Sequence, residues 1–525
     1  MKSITGDPNA ATANTKLVLR STEKNGVFRS PARERGDFQQ SRRSFLHTSA
    51  LAASAGILTG LRPSAWAQPA GANSAIRLGV IGLGNKGLPQ VRQLLKRTDI
   101  RLAALCDVDP RRLAQATEEV KGAKLAPFTT TDAREVFARD DVDAVIIVTS
   151  NHWHALHTVW ACQAGKDVYV EKPMSHTVWE GRKMIEAAAK YRRIVQVGTQ
   201  YRSEIGLAEG IAYLHAGSLG KIKHVHCVVY ARRESIGRRL AWYPDWLNYD
   251  AFCGPAPMAP IERNELHHAW RWAWDMGNGD LGDNGVHIID VALRVIRQTA
   301  TPRRVLSFGG RFGHADAGET PNTQLAVYDY PDAPIVYEVR GLPAKPGVNY
   351  MDQAGGIRVG IVAHCEGGYL SGLTGCAAYD PSGRAIKKFA GDGGRGHLGN
   401  FLDAVRSRRA EKLAAPVETG HASAAFCHYG NISYRLGQPA APGQVRRALE
   451  SVPAAAGFGR GLEEHLGVNG IDLTNQPLTL GPWLDVDAAA DNIAGVDSGD
   501  ATALARARYL LREAQRPPYT VPEQV

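Results

Sequence analysis

The chain has 525 residues, of which 44% are hydrophobic and 22% charged. That is enough apolar material for more than one packed core and argues against wholesale disorder. The net charge of +10 sits mostly at one end: residues 1–67 hold ten Lys/Arg against four Asp/Glu, leaving +4 for the rest. A body so nearly neutral, with no internal basic run, makes no case for nucleic-acid binding. Seven cysteines without a C-x-x-C pair rule out a disulfide scaffold and speak against a cysteine-based zinc site.

Residues 1–40 are polar and lack hydrophobic periodicity. They lead into Ser41-Arg42-Arg43-Ser44-Phe45-Leu46, a weakly apolar stretch to Leu61, and Ala65-Trp66-Ala67 before Gln68. Paired arginines, a diluted apolar region and a small-x-small site read as a twin-arginine export signal over 1–67. The expected partner is the twin-arginine translocation machinery and the expected location periplasmic, with cleavage near Ala67. The apolar stretch is too short and too polar for a spanning helix, so no stable membrane span is expected in the mature form. Because this route carries folded proteins, a cofactor installed before export is expected to remain tightly bound.

A dinucleotide-binding domain is predicted over 75–200. I-R-L-G-V-I (76–81) reads as a buried strand running into Gly82-Leu83-Gly84-Asn85-Lys86-Gly87 and a helix over 88–96. Glycines at these spacings allow a tight turn, close approach to a pyrophosphate, and close helix–strand packing. The next strand (100–106) ends at Asp107, twenty residues past Gly87, where a carboxylate can accept from ribose hydroxyls and favours NAD over NADP. Arg111 and Arg112 nearby keep NADP possible. Alternation continues with a helix at 110–120, strand 143–149, helix 153–164, strand 167–171, helix 177–190 and strand 194–198, a doubly wound parallel sheet. Ligands of such sheets lie at the strand C-termini, which makes Thr149, Asn151, His154, Glu171 and Lys172 candidate cofactor contacts. Gln200 and Arg202 follow the last strand and are candidates for the substrate side.

From 201 to 440 the pattern changes to strands, predicted at 221–232, 303–311, 323–330, 334–341, 357–364 and 368–378. Alternation such as H-V-H-C-V-V-Y (224–230) suits a half-buried antiparallel sheet. Between the first two strands, 240–278 is dense in aromatics, among them Trp270 and Trp272, which suit stacking on sugar faces. Next comes G-D-L-G-D-N-G-V-H-I-I-D (279–290). Its Asp283 and His287, four apart, would share one helix face. His421 and His428 on a helix over 420–436 lack a third ligand, so no metal site is read. Residues 441–525 are a C-terminal extension with a turn-rich stretch, a helix at 500–515 and a proline-bearing tail.

Three motifs in order, G-L-G-N-K-G (82–87), D-V-Y-V-E-K-P (167–173) and G-D-L-G-D-N-G-V-H-I-I-D (279–290), make the sequence resemble the glucose–fructose oxidoreductase, inositol dehydrogenase and rhizopine-catabolism (Gfo/Idh/MocA) family over about 75–440. The resemblance implies a Rossmann domain joined to an α+β domain built on a large, open, mostly antiparallel sheet. It also implies oxidation or reduction of secondary alcohols on sugars and cyclitols. By position, Lys172 matches the active-site lysine that binds the substrate hydroxyl beside the nicotinamide, and Asp283 and His287 match its D-x-x-x-H element. Chemically, His287 is the natural acid/base for the alcohol proton. Lys172 can stabilise developing alkoxide charge.

The expected function is an exported NAD(P)-dependent oxidoreductase acting on a sugar, glycoside or cyclitol CH–OH group. One alternative is a redox-neutral glycosidase or lyase that oxidises its substrate only transiently. Another is a non-catalytic sugar- or nucleotide-binding protein, against which the retained Lys172, Asp283 and His287 argue. An exposed face of the second sheet is expected to favour a homo-oligomer.

Overall fold

The computed structural model describes residues 75–298, 302–487 and 490–525. The expected export signal lies outside the described residues. Strands and helices of the first domain alternate: β1 (Ile76–Ile81), α1 (Gly87–Leu94), β2 (Ile100–Cys106), α2 (Pro110–Gly122), β3 (Phe128–Thr130), α3 (Ala133–Phe137), β4 (Ala144–Ile147), α4 (Asn151–Gln163), β5 (Asp167–Val170), α5 (Val178–Tyr191) and β6 (Val195–Val197). The six strands pair in parallel in the order β3-β2-β1-β4-β5-β6. β4 and β5 are buried along their whole length, as a parallel sheet covered on both faces requires. Local chemistry starts the helices: Asp109 caps α2 ahead of Pro110, and Thr177 with Glu180 forms a capping box on α5. β3 and α3 escape the sequence reading because F-T-T has no fully buried residue to mark it. The strand order reverses between β1 and β4, and at that switch point a crevice opens at the strand C-termini.

The second domain starts with α6 (Ile205–His215) and β7 (Ile222–Tyr230). The aromatic segment follows, holding α7 (Tyr249–Cys253), then α8 (Gly279–Asp283) and α9 (Gly285–Val295). Strands β8 (Arg304–Gly310), β9 (Thr323–Asp329), β10 (Ile335–Arg340), β11 (Val359–Cys365), β12 (Gly368–Leu373), β13 (Gly375–Tyr379) and β14 (Ala385–Phe389) come next. The chain continues through α10 (His397–Ser407), α11 (Val417–Arg435), β15 (Gln438–Ala440), α12 (Pro442–Leu449), α13 (Pro453–Val468), β16 (Leu478–Leu480), β17 (Leu484–Asp487), β18 (Asn492–Val496) and α14 (Ala501–Leu510). Among the described residues β7 to β18 form one 12-stranded sheet, antiparallel except where β10 lies beside β7.

Four sequence expectations change. The strand predicted over 368–378 is a hairpin, because the chain reverses at Thr374-Gly375 with Gly375 in the left-handed region. Asp283 and His287 do not share one regular helix: Asp283 ends α8, and α9 begins after Asn284. Residues 397–413, read with the second domain, pack into the first: Phe401, Leu402, Val405 and Leu413 share a core with Leu78, Val80 and Ile146. The sheet face expected to be open for self-association is covered by the chain's own extension, since Val445, Leu449, Leu462 and Leu466 of α12 and α13 bury Leu306, Phe308, Leu325, Val327 and Val336. β16 also pairs with β8, so the extension adds strands to the sheet it covers.

Candidate active site

The crevice begins at the turn between β1 and α1. Gly82 has φ +90°, and a Cβ there would lie 2.5 Å from the carbonyl oxygen of Val148. A Cβ on Gly87 would lie 1.9 Å from the Gly82 oxygen, so the turn closes only without side chains. Gly84 is half-buried beside the Arg112 guanidinium, while Asn85 and Lys86 are exposed. Gly87→Ala is expected to destabilise the fold by about 2–4 kcal/mol and to abolish NAD binding. Thermal unfolding and a nucleotide titration check it.

Asp107 is buried at the end of β2, its Oδ2 accepting from Leu83 N at 2.6 Å and its Oδ1 from Asp109 N at 2.8 Å. Burial raises its carboxyl above the usual range against these two bonds. Each oxygen keeps a further lone pair for a hydroxyl. Across the crevice Thr149 Oγ1 is buried and makes no hydrogen bond. Free amides at the start of α1, a turn that side chains would fill, an acid at the end of β2 and an unpartnered hydroxyl at the end of β4 fit a dinucleotide.

His154 differs from its expected role. Its Nδ1 lies 2.6 Å from the Pro173 oxygen and its Nε2 3.0 Å from the Thr149 oxygen, so no ring nitrogen is free for a cofactor. Burial holds its pKa down at about 4, and the single N–H of the neutral ring donates to one of these two carbonyls. Asn151 donates to Asn278 Oδ1 at 3.2 Å and so joins the two domains. Glu171 is buried, accepts from Gln90 Nε2 at 2.8 Å, and is pushed upward by that burial.

Lys172, which follows β5, donates from Nζ to both the carbonyl oxygen and Oδ1 of Asp283 at 2.8 Å. An ammonium has three N–H groups, so one remains for a substrate oxygen. Arg271, from the aromatic segment, stands 3.5 Å from the other Asp283 oxygen. Burial would raise the Asp283 carboxyl, but Lys172 and Arg271 outweigh it and hold it well below the usual range. The pair of half-buried Arg233 with buried Asp280 supports this side of the cluster. Sequence reasoning passed over that pair, although the acid three residues before Asp283 was its signal.

His287 is buried, and its Nδ1 has no hydrogen-bond partner. The Tyr201 ring meets it edge-on, with centroids 5.1 Å apart. Burial, reinforced by the Lys172 charge, pushes His287 well below its ordinary 6.5. The imidazole is therefore neutral and able to accept a proton. For alcohol oxidation kcat/KM is expected to stay level as pH falls through 6.5, with the acid limb lying below that value. A limb centred at or above it would assign the base elsewhere.

The expected substrate contacts separate. Gln200 is half-buried in a 3-10 turn beside Tyr201. The Arg202 guanidinium lies 2.8 Å from Asp290 Oδ1, one helical turn past His287, so it braces α9 rather than projecting free. Trp270 is half-buried, with the Arg271 guanidinium 4.6 Å from its ring centre. Trp272 is only 4% exposed and lies against Arg233. It cannot present a face to a sugar. The aromatic segment is dense enough to build its own small core around Tyr249, Phe252, Leu266 and Met276, and Trp242, Trp246 and Trp270 pack against that core.

An oxidoreductase family with an NAD-binding Rossmann fold (GFO_IDH_MocA) matches residues 76–199, and the C-terminal α/β domain of that oxidoreductase family matches 233–338. The chain is 35% identical over 155 residues to inositol 2-dehydrogenase 3 of Saccharopolyspora erythraea, covering 29% of this chain and 44% of the relative. It is 29% identical over 181 residues to an alpha-N-acetylgalactosaminidase of Shewanella oneidensis, covering 33% and 39%. The chain thus spans less than half the length of these curated relatives. Its fold is similar to that of the WlbA dehydrogenase from Chromobacterium violaceum, solved with NADH and UDP-GlcNAcA, with a TM-score of 0.52 at 19% identity over 69% of this chain and 95% of that one. The nucleotide-binding and C-terminal domains of the GFO/IDH/MocA oxidoreductases are thus both matched, in order, within this one chain.

Proposed function

We propose that this protein is an NAD(P)-dependent dehydrogenase of a sugar, glycoside or cyclitol secondary alcohol, exported by its N-terminal twin-arginine segment with the cofactor already in place. One observation carries the reading: at the strand ends of the NAD-binding domain Lys172 keeps one N–H unused, and its charge acts on the buried, neutral His287. Bound NAD supplies the hydride acceptor. The chain supplies charge and proton handling. Lys172 holds the reacting oxygen and stabilises the negative charge that grows on it. The His287 imidazole accepts the hydroxyl proton as the C–H bond is broken. Asp283 fixes Lys172 in place. The inositol dehydrogenase relative supports a polyol substrate.

A second reading, redox-neutral cleavage of a glycoside, is favoured by the likeness to the alpha-N-acetylgalactosaminidase. The same residues would serve: bound NAD would supply only a transient oxidation, and His287 would handle the protons of elimination and of the water that adds in place of the aglycone. The test is to purify the mature protein without added cofactor, identify released nucleotide by mass spectrometry, and assay sugars and glycosides with and without an electron acceptor. Bound NAD(P) with acceptor-dependent turnover supports the dehydrogenase, and acceptor-independent release of the aglycone supports the second reading. A protein that neither carries nor binds NAD(P) defeats both.

A further inference from the structure

The aromatic segment makes contacts that proton transfer does not need. It comes from the second domain yet lies on the turn between β2 and α2, where the acid Asp107 marks the adenosine end of the nucleotide site. His267 Nε2 is 2.9 Å from Asp109 Oδ2, whose side chain is 1% exposed. Arg111 pairs with the same carboxylate at 2.8 Å and places its guanidinium carbon 4.5 Å from the centre of the Trp246 ring. Between them Val108 packs against the small core of the segment. One turn of the nucleotide domain is thus held by a hydrogen bond, a cation–π contact and an apolar contact, all from residues more than 130 positions later in the chain.

The segment is itself braced from behind by the last residues of the chain. Arg516 donates to the Asp250 carbonyl at 2.8 Å and to the Ala256 carbonyl at 3.1 Å. The Tyr519 hydroxyl donates to Asp250 Oδ2 at 2.8 Å, while its ring meets Trp153 of α4 edge-on at 5.4 Å. The same tail is fastened to α5, where Trp179 N donates to the Leu511 carbonyl at 3.0 Å and Gln515 donates to Glu180. His152 adds a link from the nucleotide domain, its ring nitrogens 3.3 Å and 3.1 Å from the carbonyls of Met276 and Phe252.

We propose that the segment around Trp246 and His267, backed by the tail at Arg516 and Tyr519, is a fixed clasp over the adenosine end of the NAD site that keeps the cofactor bound through successive turnovers. The clasp takes its ligand from the NAD-binding reading above. The His267–Asp109 hydrogen bond and the cation–π contact span the two domains, so opening the clasp means breaking both and exposing an apolar cluster to water. Cofactor loss is then limited by that opening.

The test loads the full chain with isotope-labelled NAD, chases with excess unlabelled NAD, and follows retained label by mass spectrometry after rapid gel filtration. The wild-type protein is expected to hold the label for hours. His267→Ala should release it at least tenfold faster, because Asp109 keeps Arg111 and the turn stays folded. Tyr519→Phe, which deletes one hydroxyl from the bracing tail, should shift release in the same direction by a smaller factor and serves if His267→Ala fails to fold. Arg384→Ala, at an exposed pair remote from the clasp, should leave release unchanged. Wild-type exchange within seconds, or equal release from the wild type and both clasp variants, overturns the clasp and leaves the dehydrogenase reading standing. A chain that takes up no NAD at all overturns both.

Discussion

Replacing Lys172 by methionine is expected to lower kcat by about 10³-fold or more, with a much smaller effect on NAD affinity. It should also destabilise the protein by about 1–3 kcal/mol, since removing one member of a half-buried pair leaves the other only partly compensated. Both effects have one source. Two Lys172 protons are committed to Asp283 and one is left for the substrate, so the same ammonium holds the domains together and stabilises the reacting oxygen. Arg271 at 3.5 Å compensates Asp283 only partly. Single-turnover hydride transfer and thermal unfolding separate the two losses. A variant that turned over near the wild-type rate would remove Lys172 from the chemistry.

His287→Asn is expected to behave differently. Loss of a general base lowers kcat/KM by about 10²–10⁴-fold, while stability should change by less than about 2 kcal/mol. The contrast follows from bonding: His287 Nδ1 has no partner to lose, whereas the Lys172 ammonium has two bonds to Asp283. The acid limb of the kcat/KM profile should vanish with the imidazole. A profile that kept its limb at an unchanged pH would mean that another group accepts the proton.

Most of the nucleotide domain was legible in the sequence because its information is local. Apolar runs such as A-V-I-I and D-V-Y-V mark strands buried on both faces. The spacing of Gly82, Gly84 and Gly87 is dictated by a turn in which a Cβ at either end meets backbone oxygen. The placement of Lys172, Asp283 and His287 near one another was also within reach, because each follows a strand end or sits in a short motif of polar residues. The direct bond between Lys172 and Asp283 was not: it joins residues 111 apart, and spacing within the D-x-x-x-H motif pointed instead to an Asp283–His287 partnership on one helix. The break after α8 shows that spacing alone does not settle which helix face a residue takes.

Composition misled in one place for a physical reason. The eight Trp, Tyr and Phe rings from Trp242 to Trp274 look alike whether they face a sugar or each other. Burial of Trp272 and the packing around Tyr249 and Phe252 depend on contacts with the first domain and with the C-terminal tail, which no local pattern records. The extension follows the same rule: α12 and α13 cover a sheet face whose strands show only that one side needs apolar neighbours, not which segment provides them. By itself the sequence determined the doubly wound sheet, the phosphate turn and the chemical types at the site, since periodicity and glycine spacing act over a few residues. Only the tertiary structure decided the partner of Lys172, the role of His154 and the covering of the nucleotide turn by His267 and Trp246. Those contacts arise where distant faces meet and exclude water, and that energy is not written in any short stretch of chain.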